Sequence, residues 1–172
     1  KLHDIPRTVA RAVTAAARLR VELMTLHAAG GRAMIAAAAE AARACPADQR
    51  PKLLAVTMLT SLEQDDLGDL GIGRTMPDQV AALATMALES GADGVVCSPR
   101  EVGRLRTLLP SDALLVTPGV RPAGTATGDQ KRVATPGAAV RDGSTHLVVG
   151  RPILEAPDPA AAARAILAEM RA

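Results

Sequence analysis

The chain contains no phenylalanine, tyrosine or tryptophan, and no asparagine. Domains of this size ordinarily fill part of their core with aromatic rings. Here Leu, Val, Ile, Met and Ala must fill it, with less area buried per residue. Such a gap points to a reduced-alphabet or engineered sequence, or to a strongly biased genome. Cysteine is scarce as well. Cys45 and Cys97 stand far apart, with no CxxC step and no nearby histidine pair. That excludes a disulfide framework and a zinc site, and suggests a reducing, cytoplasmic setting. Cys97 lies in an apolar run, where a small buried hydrophobe is expected. No apolar stretch reaches membrane-spanning length and no signal-peptide pattern opens the chain, so no membrane partner is expected. The net charge is only +2 and the basic residues are scattered. That argues against nucleic acid as a partner and for a few placed arginines around a small anion.

What is present is an ordinary globular composition. The chain has 172 residues, 48% hydrophobic and 22% charged, enough for one domain with a core. Strand-length apolar runs alternate with longer amphipathic stretches. Helices are expected over 8–19, 32–44, 77–89, 100–108, 135–141 and 159–171. Strands are expected over 21–27, 53–59, 94–97, 113–117 and 147–150, with an opening strand that ends at Ile5-Pro6. An acidic loop with a short helix fills 61–70. The strands are uniformly apolar rather than alternating, as in a parallel sheet covered by helices. The β-α repeat suggests a (β/α)8 barrel, with residues 1–172 as a single partial domain. A closed barrel needs eight strands, so five strands and the tail of a sixth would leave about two and a half β-α units ahead of Lys1. Two open strand edges and a fraying Lys1 are then expected.

Four segments carry candidate chemistry. Lys1-Leu2-His3-Asp4-Ile5-Pro6 sets an ammonium three positions before a carboxylate, where an extended run becomes a helix. The two charges are expected to converge on one pocket and hold the lysine protonated; a solvated ion pair is the plainer alternative. Thr8 follows in the same segment. Thr57-Met58-Leu59-Thr60-Ser61 closes a strand, where adjacent hydroxyls can bond a polar heterocycle or merely cap the next turn. Thr117-Pro118-Gly119-Val120-Arg121-Pro122 and Gly128-Asp129-Gln130-Lys131-Arg132 combine glycine and arginine, which suits an anion, or form a surface loop. Val148-Val149-Gly150-Arg151 puts a Gly-Arg step after a late strand, where barrels of this class bind phosphate. His27 ends a strand and is expected to be a hydrogen-bonded structural histidine. His3 and His146 have no assigned role, and no residue set has metal-ligand spacing.

Together these segments resemble orotidine-5'-phosphate decarboxylase of the bacterial short form. The matching blocks are KLHDIPRTVA at 1–10, TLHAAGG at 25–31, LLAVTMLTS at 53–61, GADGVVCSP at 91–99, LLVTPGVRPAG at 114–124, GDQKRVATP at 128–136 and HLVVGRPI at 146–153. The resemblance implies a (β/α)8 barrel working as a homodimer with shared active sites. It implies conversion of orotidine 5'-phosphate to UMP without metal or organic cofactor. It makes Lys1 the proton donor to C6, Asp4 the acid that reaches the neighbouring subunit's site, and Thr8 a nearby hydroxyl. Thr60 would contact the pyrimidine or its ribose; Arg121, Gln130, Gly150 and Arg151 would hold the phosphate. The family motif also has an aspartate two positions before the lysine, and an aspartate and a lysine on its first two strands. These fall ahead of the residues present. Arg7 stands where the family usually has a smaller polar residue. Two alternatives stay open: a sister magnesium-dependent barrel of the hexulose-phosphate synthase type, and a non-catalytic piece that keeps the phosphate grip.

Overall fold

A computed structural model describes residues 1–122 and 134–171. Among these, five strands form one parallel sheet in the order β1-β2-β3-β4-β5. They are β1 (Leu23–His27), β2 (Lys52–Val56), β3 (Gly94–Val96), β4 (Leu114–Thr117) and β5 (His146–Leu147). Parallel neighbours that follow each other in sequence need crossovers of one hand, which places every connecting helix on the same face. This is the winding of a barrel wall, and the α/β barrel expectation stands.

The helices are α1 (Pro6–Ala17), α2 (Gly31–Arg43), α3 (Gln64–Asp69), α4 (Met76–Glu89), α5 (Val102–Leu108), α6 (Pro136–Arg141), α7 (Arg151–Leu154) and α8 (Pro159–Glu169). In the outer layer α1 packs on α2, α2 on α4, and α4 on α5. The first helix starts on Pro6, whose missing N–H costs nothing at that position. It buries Val9, Val13 and Ala17, spaced one turn apart. Alanine-rich α2 buries Ala38, Ala39 and Ala42, so small side chains let the helices approach closely where rings are lacking. Thr75 caps α4 by accepting the Asp78 N–H at 3.3 Å. No helix among the described residues is long and apolar enough to cross a membrane.

Side chains alternate across a strand, and the sheet divides accordingly. Leu26, Ala55, Val95 and Leu115 share one row of the register and are fully buried under the helices. The next row, on the opposite face, runs His27, Val56, Val96, Val116, His146. That second face is where a barrel keeps its interior.

Several details differ from the sequence expectation; β2, for one, ends at Val56 rather than at 59. The opening strand is one parallel bridge, Leu2 to Leu26, but both its hydrogen bonds are made: Leu2 N–H to Thr25 O at 3.0 Å and His27 N–H to Leu2 O at 2.8 Å. The segment beside Lys1 is therefore tied to β1 rather than frayed. Strand β5 has two residues and begins one earlier than expected, because the chain turns at Gly150 into the short helix α7, which no periodicity announces in four residues.

Candidate active site

The C-terminal ends of the parallel strands form one rim, and the singled-out residues fall on it by topology. Lys1 precedes the residue bridged to the end of β1. Thr60 follows β2, Arg121 follows β4, and Gly150 and Arg151 follow β5. Leu2 shares the helix-side face with Leu26, so Lys1 and His3 point to the interior face with His27. A cavity of about 210 Å³ opens there. Its floor is Val56, Val96 and Cys97, and its polar wall is Lys1, Thr60 and Ser61. A larger hollow of about 590 Å³ is a shallow depression along the outside of α1 between Arg11 and Arg18, away from every strand end.

The two charges of the opening motif do not converge. Asp4 is exposed, and its Oδ1 accepts the Ile5 N–H at 2.7 Å. Ion pairs join Arg20 to Asp48, Arg32 to Glu89, Arg50 to Asp93 and Arg104 to Asp78; none among the described residues joins Lys1 to Asp4. The cause is parity: residues three apart on an extended segment face opposite sides. Lys1 turns into the cavity and Asp4 away from it. Thr8 is exposed on the first turn of α1.

The hydroxyls after β2 divide their tasks. Thr57 Oγ1 donates to the Val96 carbonyl at 3.0 Å and ties β2 to β3. Thr60 is buried and lines the cavity. After β4 the chain turns at Gly119, whose φ of +77° only glycine adopts readily. The buried Arg121 Nη1 donates to the Val120 carbonyl at 2.8 Å, and its backbone N–H to Ala134 at 3.0 Å. That bond joins the two sides of the 123–133 segment. Gln130 lies outside the described residues. Gly150 begins α7, and a Cβ there would meet only open space. Arg151 beside it is exposed.

Sequence reasoning missed two contributions. Cys97 and Pro118 line the cavity, because each directly follows a strand; position after an apolar run was the available signal. His3 and His27 lie ring to ring, centroids 5.3 Å apart. Burial lowers the proton affinity of His27 below the usual imidazole value, and the neighbouring His3 and Lys1 lower it further.

Residues 1–166 match the sequence profile described as "Orotidine 5'-phosphate decarboxylase / HUMPS family". The chain is 54% identical over 172 residues to the orotidine 5'-phosphate decarboxylase of Gluconobacter oxydans, covering 99% of this chain and 73% of that protein. It is 55% identical over 171 residues to that of Geobacter metallireducens, covering 99% and 72%. The crystal structure of orotidine 5'-phosphate decarboxylase from Lactobacillus acidophilus superposes with a TM-score of 0.87 at 46% identity, over 100% of this chain and 73% of that one.

Proposed function

The chain belongs to the orotidine 5'-phosphate decarboxylase / HUMPS family, and from that premise we propose how its rim performs the decarboxylation. The protein is a cofactor-independent decarboxylase that converts orotidine 5'-phosphate to UMP and carbon dioxide. Relatives more than half identical carry that name, which favours this reaction over that of a sister magnesium-dependent lyase.

The chemistry demands electrostatic help. Loss of carbon dioxide from C6 leaves an electron pair in the plane of the pyrimidine ring, where no π system delocalises it. A fixed ammonium beside that carbon stabilises the charge as it forms. The same ammonium then delivers a proton to C6. Lys1 fills both roles in this reading, with Thr60 on the pyrimidine or ribose side. The observation that carries it is the placement of the Lys1 side chain with Thr60 and Ser61 over an apolar floor, at the C-terminal mouth of the sheet.

The phosphate is held further along the rim by Arg121, Gln130, Gly150 and Arg151. Open space over Gly150 lets an anion approach the backbone, and the adjacent guanidinium offers a bidentate fork. This remote grip supplies binding energy that orients the reacting end. Asp4, turned outward from its own cavity, serves the site of a second subunit, with Thr8 beside it, so the working form is a homodimer. The setting is the cytoplasm, and residues 1–172 act as one partial barrel domain.

The test pairs a UMP titration with an orotidine 5'-phosphate turnover assay. Saturable UMP binding with release of carbon dioxide is expected. Binding without turnover marks a phosphate-gripping remnant, and the absence of both overturns the proposal. Sedimentation at twice the chain mass checks the dimer.

A further inference from the structure

In a chain without phenylalanine, tyrosine or tryptophan, three imidazoles are the only aromatic rings, and two of them meet two residues from Lys1. The His3 and His27 centroids are 5.3 Å apart, with planes inclined at 31°. Both residues belong to the interior face by strand parity, His27 opposite Val56 at the end of β1 and His3 two positions beyond Lys1. The next neighbour of the His3 ring is Gly30. A methyl group added at Gly30 would stand 3.3 Å from His3 Cδ2 and would overlap Sδ and Cε of the buried Met34. The backbone at Gly30 is ordinary helical, φ −68° and ψ −10°, so its conformation does not call for glycine; an added methyl would press on the flexible end of Met34 and, more lightly, on the His3 ring.

This contact matters because, while Leu2 packs on the core and α1 begins at Pro6, the residues next to Leu2 in sequence have few holds of their own. Leu2 ties residues 1–4 to β1 through a single bridge, which fixes the path of the backbone. The bridge sets the face that Lys1 takes, but it leaves the residues on either side of Leu2 free to swing, and that swing decides how steadily Lys1 is aimed. A side-chain contact on the interior face removes that freedom. His3 supplies it two residues from Lys1, and His27 is the surface it rests on. The groups facing His27 are His3 and Lys1, and both disfavour a charge on it. An uncharged ring is the compatible neighbour for an ammonium.

We propose that the His3–His27 ring pair, seated beside Gly30, is the positioning device of the rim segment: strand parity gives Lys1 its face, and the ring pair steadies its aim into the cavity. His3 exchanges no proton with substrate. It acts through Lys1, and its ring shape carries the effect rather than its nitrogens. The kinetic side of this proposal rests on the decarboxylase reading above.

Kinetics of His3→Ala, His3→Phe and Gly30→Ala test it. His3→Ala is expected to lower kcat at least ten-fold while KM for orotidine 5'-phosphate stays within two-fold. His3→Phe keeps a planar ring and is expected to retain at least half of the wild-type kcat. Gly30→Ala, which crowds the ring at 3.3 Å without removing it, is expected to lose less kcat than His3→Ala. Wild-type kcat in His3→Ala, or equal losses in His3→Ala and His3→Phe, overturns the proposal. The second readout needs no turnover. Lys1 is one of three lysines, so its Cε–Hε NMR signal in lysine-labelled protein is easily assigned. That signal should move in His3→Ala and return towards its wild-type position in His3→Phe, and His3 and His27 ring protons should show a mutual nuclear Overhauser effect in the wild type. A wild-type chain without turnover counts against the decarboxylase reading alone, and the Lys1 signal then decides on the ring pair. An unmoved Lys1 signal in His3→Ala, or no ring-to-ring effect in the wild type should that variant fail to fold, overturns it.

Discussion

The two ends of the sheet use polar groups in opposite ways. At the N-terminal end they are matched to one another. Asp93 Oδ2 accepts the Leu53 N–H at 2.8 Å, and Arg50 stands 3.9 Å from its other oxygen. Arg106 donates to the carbonyls of Gly143 and Ala113, both at 2.9 Å, and joins the entries of β4 and β5. Thr145 Oγ1 accepts from the Leu115 N–H and donates to the Leu115 carbonyl, each at 3.0 Å. At the C-terminal end, Lys1, Thr60 and Ser61 surround a hollow, and Gly150 faces open space. Matched donors and acceptors hold strands in register. Convergent polar groups around an empty volume prepare a ligand site. One parallel sheet thus separates stability from chemistry by strand direction alone.

Substitutions at the two ends should separate in the same way. The largest effect belongs to Lys1→Ala. Losing both the stabilising charge and the proton donor should lower kcat by about 10³-fold or more, with the melting temperature unchanged, as a turnover assay and a thermal melt will tell. Next comes Arg106→Ala at the opposite end. Orphaning two carbonyls bound by a charged donor should cost about 3 kcal/mol in denaturant unfolding, with UMP affinity retained in the folded protein. Arg151→Ala should weaken UMP binding by about 2 kcal/mol, roughly 30-fold, with an unchanged denaturation midpoint; calorimetric titration measures it. A large stability loss from Lys1→Ala or Arg151→Ala would break the division of labour.

The smallest effect is one of pH. His27 takes its proton at lower pH in the native state than the usual 6.5. As pH falls below 6.5 the unfolded chain binds that proton first, so stability declines until the native pKa is passed and then levels off. Thermal melts between pH 7.5 and 5 should show this slope, and His27→Gln should flatten it.

Much of the fold was legible because parallel strands buried on both faces are apolar throughout, and 53–59, 94–97 and 113–117 stand out for that reason. The helices stood out by their periodicity, although Pro6 and the Thr75 cap start α1 and α4 earlier than the 8 and 77 expected. Other features depend on partners distant in the chain. Leu2 finds Leu26, and His3 finds His27, through a pairing no local pattern records. The residues of the site were legible as residue types at strand ends, which is why Lys1, Thr60, Gly150 and Arg151 fall on one rim. Their directions were not. Asp4 turns from Lys1 because three positions reverse the face of an extended segment, and Thr57 bonds a neighbouring strand. Cys97 is the buried core residue its apolar run suggested, and it also lines the cavity because it directly follows β3.

The central claim is that the nucleotide is held at the C-terminal rim. A UMP titration followed through the backbone amides tests it most directly. Saturable shifts at Thr60, Gly119 and Gly150, with Asp93 and Gly143 unmoved, are the predicted result. Shifts centred on Asp93 and Gly143, or none that saturate, would contradict it.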